Sequence, residues 1–200
     1  MDLTLILVGI IILTALAFDF TNGFHDAANA IATAVGSKSL KPRTALMLAA
    51  GGNLAGAFIS EGVAKTVGKG IIDVQASTDG LLVVLGALIG AIAWNMITWW
   101  FGLPSSSSHA LIGGLAGSAM AASQVVHWDG IVQKVIIPMV ISPAVGFTLA
   151  YGLSLALLWG FRNATRKRAA RGFQGAQAVA SGAMAVGHGL QDAQKTMGVI

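Results

Sequence analysis

The stretch FDFTNGFHDAANAIAT sets Asp19, Asn22, His25, Asp26, Asn29 and Thr33 inside an apolar run. A polar or ionisable group in such a run costs several kcal/mol in a bilayer, so it points to ion or proton traffic. On a helix, Asp19, Asn22, Asp26, Asn29 and Thr33 are spaced three, four, three and four apart and share one face. Two carboxylates, two amides and a hydroxyl are hard oxygen donors, suited to a sodium ion or a transferable proton. Gly23 is where the helix is expected to break and free backbone carbonyls. His25 is less specific, since a hydrogen bond to a neighbour would account for it equally well.

A second constellation is Pro104-Ser105-Ser106-Ser107-Ser108-His109, followed by ALIGGLAG. Proline and serines before an apolar helical run mark a helix N-terminus. One serine suffices for a cap. Four hydroxyls together with the free N–H groups of that terminus form an anion site that needs no fixed positive side chain. The third constellation is the tail. Aligned on its aspartate, Gly189-Leu190-Gln191-Asp192-Ala193-Gln194-Lys195-Thr196 matches Gly23-Phe24-His25-Asp26-Ala27-Ala28-Asn29-Ala30. The identities are few, but both stretches carry an aspartate into a glycine-flanked apolar segment.

Membrane helices must position these groups. Hydrophobic residues are 55% of the 200-residue chain and charged residues 10%, too few to cover a soluble globule, which carries about 25% charge. Apolar segments fall at 3–21, 24–36, 44–63, 81–101, 109–122 and 135–160, with a broken one from 173 onward. A span needs about 20 residues, so 24–36 and 109–122 read as short, broken or re-entrant pieces. The net charge of +4 sits between apolar runs, which positive-inside topology explains more cheaply than a nucleic-acid surface would. Arg162, Arg166, Lys167, Arg168 and Arg171 form one cluster and Lys38, Lys41 and Arg43 another. With both clusters cytoplasmic, the N-terminus and residues 64–80 lie outside, although Lys65 and Lys69 disagree. The start Met1-Asp2 lacks the basic region of a signal peptide, so the first run is expected to stay. Under this topology, the two aspartate stretches enter the membrane from opposite sides, as in an inverted repeat.

Gly52 with Gly56, Gly86 with Gly90 and Gly113 with Gly117 have helix-contact spacing. Exposed glycine faces of this kind also offer a route to a homodimer. With no cysteine, disulfide frameworks, thiolate metal sites and cysteine nucleophiles are excluded. The expected fold is all-α: a polytopic membrane helix bundle with inverted repeats and a re-entrant hairpin.

GFHDAANAIATAVGS, VAKTVGKGIID, GLPSSSSHALIGGLAG and GLQDAQKTMGVI, in this order, resemble the PiT family of inorganic phosphate transporters. The family's repeated motif has the form G-x-N-D-x-x-N-A, and here His25 and Gln191 stand in place of its asparagine. The resemblance implies a symporter in the cell membrane that carries inorganic phosphate with a proton or sodium ion and uses no cofactor. It implies cation or coupling roles for Asp26, Asn29 and Asp192, with Asn22, His25 and Thr33 beside them, and a sodium site at Asp26, Asn29 and Asp192. Ser105, Ser106, Ser107 and Ser108 would hold phosphate. It also implies a first repeat over 1–160, a basic cytoplasmic loop over 161–172 and the start of a second, inverted repeat over 173–200. A complete member has a second serine/threonine hairpin after the second aspartate motif. The expectation is therefore that these 200 residues alone do not transport.

Rival readings are weaker. A two-aspartate intramembrane protease would want G-x-G-D, whereas Asp192 follows Gly-Leu-Gln; a rhomboid-type protease would want G-x-S-G, whereas the serines here follow Leu-Pro. A purely structural membrane subunit needs no polar stripe. A transporter of another tetrahedral oxyanion, such as sulfate, stays open, because hydroxyl and N–H donors bind both anions.

Overall fold

The computed structural model describes residues 3–59, 71–72 and 77–197, and leaves the side chains of 27–29, 166–168, 171, 193–194 and 196–197 undescribed. Lys65, Lys69, most of the VAKTVGKGIID stretch and the Asn29 side chain lie outside the described residues. The chain is an all-α membrane helix bundle. Its helices are α1 (Leu3–Gly36), α2 (Pro42–Ala57), α3 (Thr78–Trp100), α4 (Ser107–Ala121), α5 (Trp128–Gly160) and α6 (Arg166–Met197). Among the described residues the sole β feature is one bridge between Ile72 and Val126. Three helices, α1, α3 and α5, are long and apolar enough to cross a membrane.

Helix α1 runs unbroken through Gly23 for 34 residues, about 51 Å at 1.5 Å per residue. The expected break at Gly23 and the separate segment 24–36 are therefore not found. A glycine costs a helix interior only about 1 kcal/mol, too little to break a helix packed on both sides. What ends α1 is local: Lys38 adopts φ 60°, and Ser39 and Leu40 N–H groups return to the Ala34 carbonyl. Lys41 is then extended, as a residue before proline must be, and Pro42 opens α2.

Helices α3 and α4 form a hairpin. Ser77 caps α3 by accepting from Gly80 N–H at 3.2 Å. Gly102, at φ 63°, lets the chain turn while Leu103 N–H bonds the Thr98 carbonyl; Pro104 prevents continuation. Helix α4 has 15 residues, about 22 Å, short of the roughly 30 Å hydrocarbon core. Helix α5 passes, after a first α-turn at Trp128–Ile131, through a π-turn at Val132–Ile136 just ahead of Pro138, and no residue of Ile137–Gly160 is buried. Helix α6 begins at Arg166, so the basic cluster of 166–171 lies on its first turns.

Two apolar cores share α1. Its N-terminal half (Ile11, Ala15, Phe18) packs with α3 and α4 through Val84, Ala87, Leu88 and Leu111. Its C-terminal half (Ala30, Ile31) packs with α2 and α6 through Ala45, Ala49 and Ala185. The polar residues 19–26 occupy the seam between these cores.

The glycine spacing is informative on α2 only. A Cβ on Gly56 would lie 2.7 Å from the Leu190 nitrogen, and one on Gly52 2.6 Å from Ala185 Cβ. On the hairpin, Gly86 meets Ser118, but Gly90, Gly113 and Gly117 meet nothing, and Gly114 is the glycine pressed on Ala87. The reason is register: α4 turns Ser107, Leu111, Leu115 and Ala119 inward, which sends 113 and 117 elsewhere. Gly56→Ala should therefore lower stability by about 1–3 kcal/mol through overpacking, read as a lower melting temperature in detergent. Gly90→Ala, with open space around it, should leave that temperature unchanged.

Candidate functional site

Helix α6 carries Asp192 to the seam. Its Oδ2 accepts from Asn22 Nδ2 at 3.0 Å and lies 2.9 Å from His188 Nε2. Its Oδ1 pairs with Lys195 Nζ at 2.5 Å. Lys195, 5% exposed, also donates to Ser107 Oγ at 3.1 Å. Ligand atoms of Asp26, His188 and Asp192 all lie within 4.8 Å of one another. His25 Nδ1 stands 3.5 Å from Asp26 Oδ1. A cavity of about 330 Å³, lined by His25, Asp26, Trp99, Leu103, Pro104 and Ser105, opens beside this cluster. Phe24 packs edge-on against the cavity residue Trp99 with ring centroids 5.5 Å apart.

The two aspartate helices run antiparallel. Asn22 on α1 bonds Asp192, while Ser39, just past α1, donates to Gln177 at 3.1 Å, so one number rises as the other falls. The aligned aspartates 26 and 192 thus meet across the helix pair.

The expected residues divide as follows. Asn22 and Asp26 are buried at 4% and 9% exposure and belong to the cluster with Asp192. His25 is half-buried on the cavity wall. Asp19 is half-buried one turn away, and Thr33 is exposed and outside the cluster. Thr33 shares the helical face by spacing, but beyond Asp26 the buried face runs through Ala30, Ile31 and Ala34, the residues that α2 and α6 cover. The four serines separate in role. Ser106 caps α4, accepting from His109 N–H at 3.4 Å. Ser107 is buried and meets Lys195. Ser105 lines the cavity, its hydroxyl buried without a partner among the described residues. Ser108 is half-buried.

Two residues escaped the sequence reading. Lys195 brings to Ser107 a positive side chain that the sequence reading did not include. The signal was present: Lys195 aligns with Asn29 in the repeat and follows Asp192 by three residues, one turn on the same face. His188, four residues before Asp192, carried the same kind of signal.

The arrangement has two chemical ends. Asp26, Asp192 and the buried Asn22 Oδ1, which has no partner among the described residues, are oxygen donors of the kind that could face a cation, with the His188 nitrogen beside them. Ser105, Ser107 and the Lys195 ammonium supply donors for an anion. Two carboxylates and one ammonium meet here, with His25 against Asp26 and His188 against Asp192.

Residues 22–174 match the phosphate transporter family. The chain is 58% identical over 191 residues to a probable low-affinity inorganic phosphate transporter of Streptomyces halstedii, covering 96% of this chain and 89% of that one. It is 46% identical over 202 residues to a protein of Bacillus subtilis with the same description, spanning all of this chain but 60% of the relative. A solved structure of a sodium-dependent phosphate transporter matches with a TM-score of 0.71 and 26% identity, over 81% of this chain and 42% of that one. These relatives are transporters and not enzymes, which sets the protease readings aside. The chain belongs to the phosphate transporter family.

Proposed function

We propose that the protein acts in the cell membrane as a secondary active symporter, moving inorganic phosphate together with a monovalent cation. The observation that carries this reading is Lys195, whose buried ammonium joins Ser107 of the serine loop to Asp192 of the carboxylate pair. Anion donors and cation ligands are thereby parts of one hydrogen-bonded cluster, so each ion lowers the electrostatic cost of holding the other. Phosphate is held by Ser105, Ser107 and Lys195. The cation sits against Asp26 and Asp192, with Asn22 and Asn29 adjoining.

Sodium is the first choice for that cation, because the available donors are hard oxygens and the solved relative is sodium-dependent. A proton is the second reading, favoured by the contact of His188 with Asp192. The antiparallel meeting of the aligned aspartates supports an inverted repeat, with 1–160 and 173–200 drawn from its two halves. In such transporters the site lies where the halves meet. Moving anionic phosphate against a negative-inside potential costs about 2.3 kcal/mol per charge per 100 mV, so a cation must accompany it.

Labelled-phosphate uptake by the full-length protein in proteoliposomes, with sodium and pH gradients imposed separately, tests the reading. Uptake driven by neither gradient would sink it. Competition by excess sulfate distinguishes the two oxyanions; phosphate uptake should resist it. Replacing Ser105, Ser106, Ser107 and Ser108 together with alanine should weaken phosphate binding by at least about a hundredfold. Each lost bond to a charged group is worth about 1.5–3 kcal/mol. Unchanged binding in detergent would reduce the serines to helix caps.

A further inference from the structure

Asn95 continues the face that Ala87, Leu88 and Ala91 of α3 turn into the core shared with α1 and α4. It is 2% exposed, and its Nδ2 is buried without a hydrogen-bond partner among the described residues. Burying an unsatisfied amide donor is costly, and such a group is kept where a partner arrives from elsewhere. The surrounding helix does not use it: the Thr98 hydroxyl bonds the carbonyls of Trp94 and Asn95 at 2.9 and 3.1 Å.

The register of the hairpin says what lies opposite. A Cβ on Gly114 would press on the Ala87 carbonyl and one on Gly86 on the Ser118 hydroxyl. Further along, Trp94 lines a groove with His109 and Ala110. The two helices run antiparallel through a short turn, so the same register sets Asn95 level with the start of α4, from Ser106 to His109. One turn past Asn95, Trp99 already forms a wall of the cavity that Ser105 lines. Asn95 therefore stands at the depth of the serine loop, one turn from the cavity wall that Trp99 forms, with a donor that no described residue uses.

We propose that Asn95 is a further phosphate-binding residue, its side-chain N–H donating to an oxygen of the anion held by the serine loop and Lys195. This rests on the symporter reading above and extends its anion site from the loop to the preceding helix. A neutral amide donor also suits an oxyanion whose own charge changes with protonation, since it repels neither form.

The test is equilibrium binding of labelled inorganic phosphate to the full-length protein in detergent, together with its melting temperature without ligand. Asn95→Ala should raise the phosphate Kd by about tenfold or more while leaving the ligand-free melting temperature near that of the parent. Asn95→Asp keeps the shape and replaces the donor by a like charge, so binding should be lost. Asn95→Ser, which restores a donor in a smaller side chain, should bind more tightly than Asn95→Ala. Parental affinity in Asn95→Ala, with binding lost in the four-serine variant, would overturn the role of Asn95 and leave the symporter reading standing. An affinity that falls only in step with the ligand-free melting temperature, with no recovery in Asn95→Ser, would overturn it as well. A parent that binds no phosphate ends both readings.

Discussion

Asp26→Asn is expected to abolish cation-driven phosphate uptake while leaving the protein folded in the membrane. The substitution keeps the side chain's size and removes one charge from a cluster in which Asp26, His188 and Asp192 lie within 4.8 Å of one another. With Asp26 neutral, Asp192 and Lys195 balance each other, and the cation of the proposed symport loses one of its two carboxylates. Binding of the coupling ion then loses its electrostatic reason. A charged hydrogen-bonding contact of about 3 kcal/mol corresponds to a loss of roughly a hundredfold. The measurement is labelled-phosphate uptake into proteoliposomes under a sodium gradient and, separately, a pH gradient. Uptake at the parental rate under either one would remove Asp26 from the coupling machinery.

Lys195→Met should lower phosphate affinity by about ten- to a hundredfold, the worth of one charge-assisted hydrogen bond, with little loss of folded protein. Methionine fills the space of the lysine stem, and Asp192 keeps Asn22 and His188 as partners. The reverse change behaves differently. Asp192→Asn strands a buried ammonium, a situation that costs about 3–5 kcal/mol, so it should depress the melting temperature. The double variant should recover part of that loss. Parental affinity in Lys195→Met, measured by equilibrium binding, would make the ammonium a counter-ion to Asp192 and nothing more.

Much of this site was legible because it is periodic. The spacing of Asn22 and Asp26 with Asp19 needs only a helix to become a face, and a polar face in an apolar segment is hard to hide. The serine loop was legible for a related reason, since four hydroxyls exceed what one cap uses. Thr33 shows the limit of that logic. Periodicity assigns a side to a residue but does not tell where the neighbouring helix stops covering it. Lys195 shows a second limit. Its bond to Ser107 joins residues 88 apart in sequence, and no local pattern encodes which helix ends face each other. The unbroken α1 was missed because a glycine lowers helix stability by an amount that packing on both sides outweighs. On the hairpin Gly86 makes its contact, but the close approach expected at Gly113 falls one position on at Gly114, enough on a helix to move a residue from a contact to an open face.

The hydrogen bond between Asn22 and Asp192 spans 170 residues, and this distance orders events during synthesis. At the 5–20 residues per second of a ribosome, α1 enters the bilayer on the order of ten to thirty seconds before its partner exists. Throughout that interval Asn22 and Asp26 sit in an apolar segment without the side chains that later satisfy them. The hairpin of α3 and α4, made after α2, can shield one flank, since it packs on α1 through Phe18 and Leu88. The other flank closes only when α6 docks between α1 and α2. Helix α6 is thus the one that brings Asp192 to the seam, and a nascent chain stalled before it presents a half-formed polar seam to the insertion and quality-control machinery of the membrane.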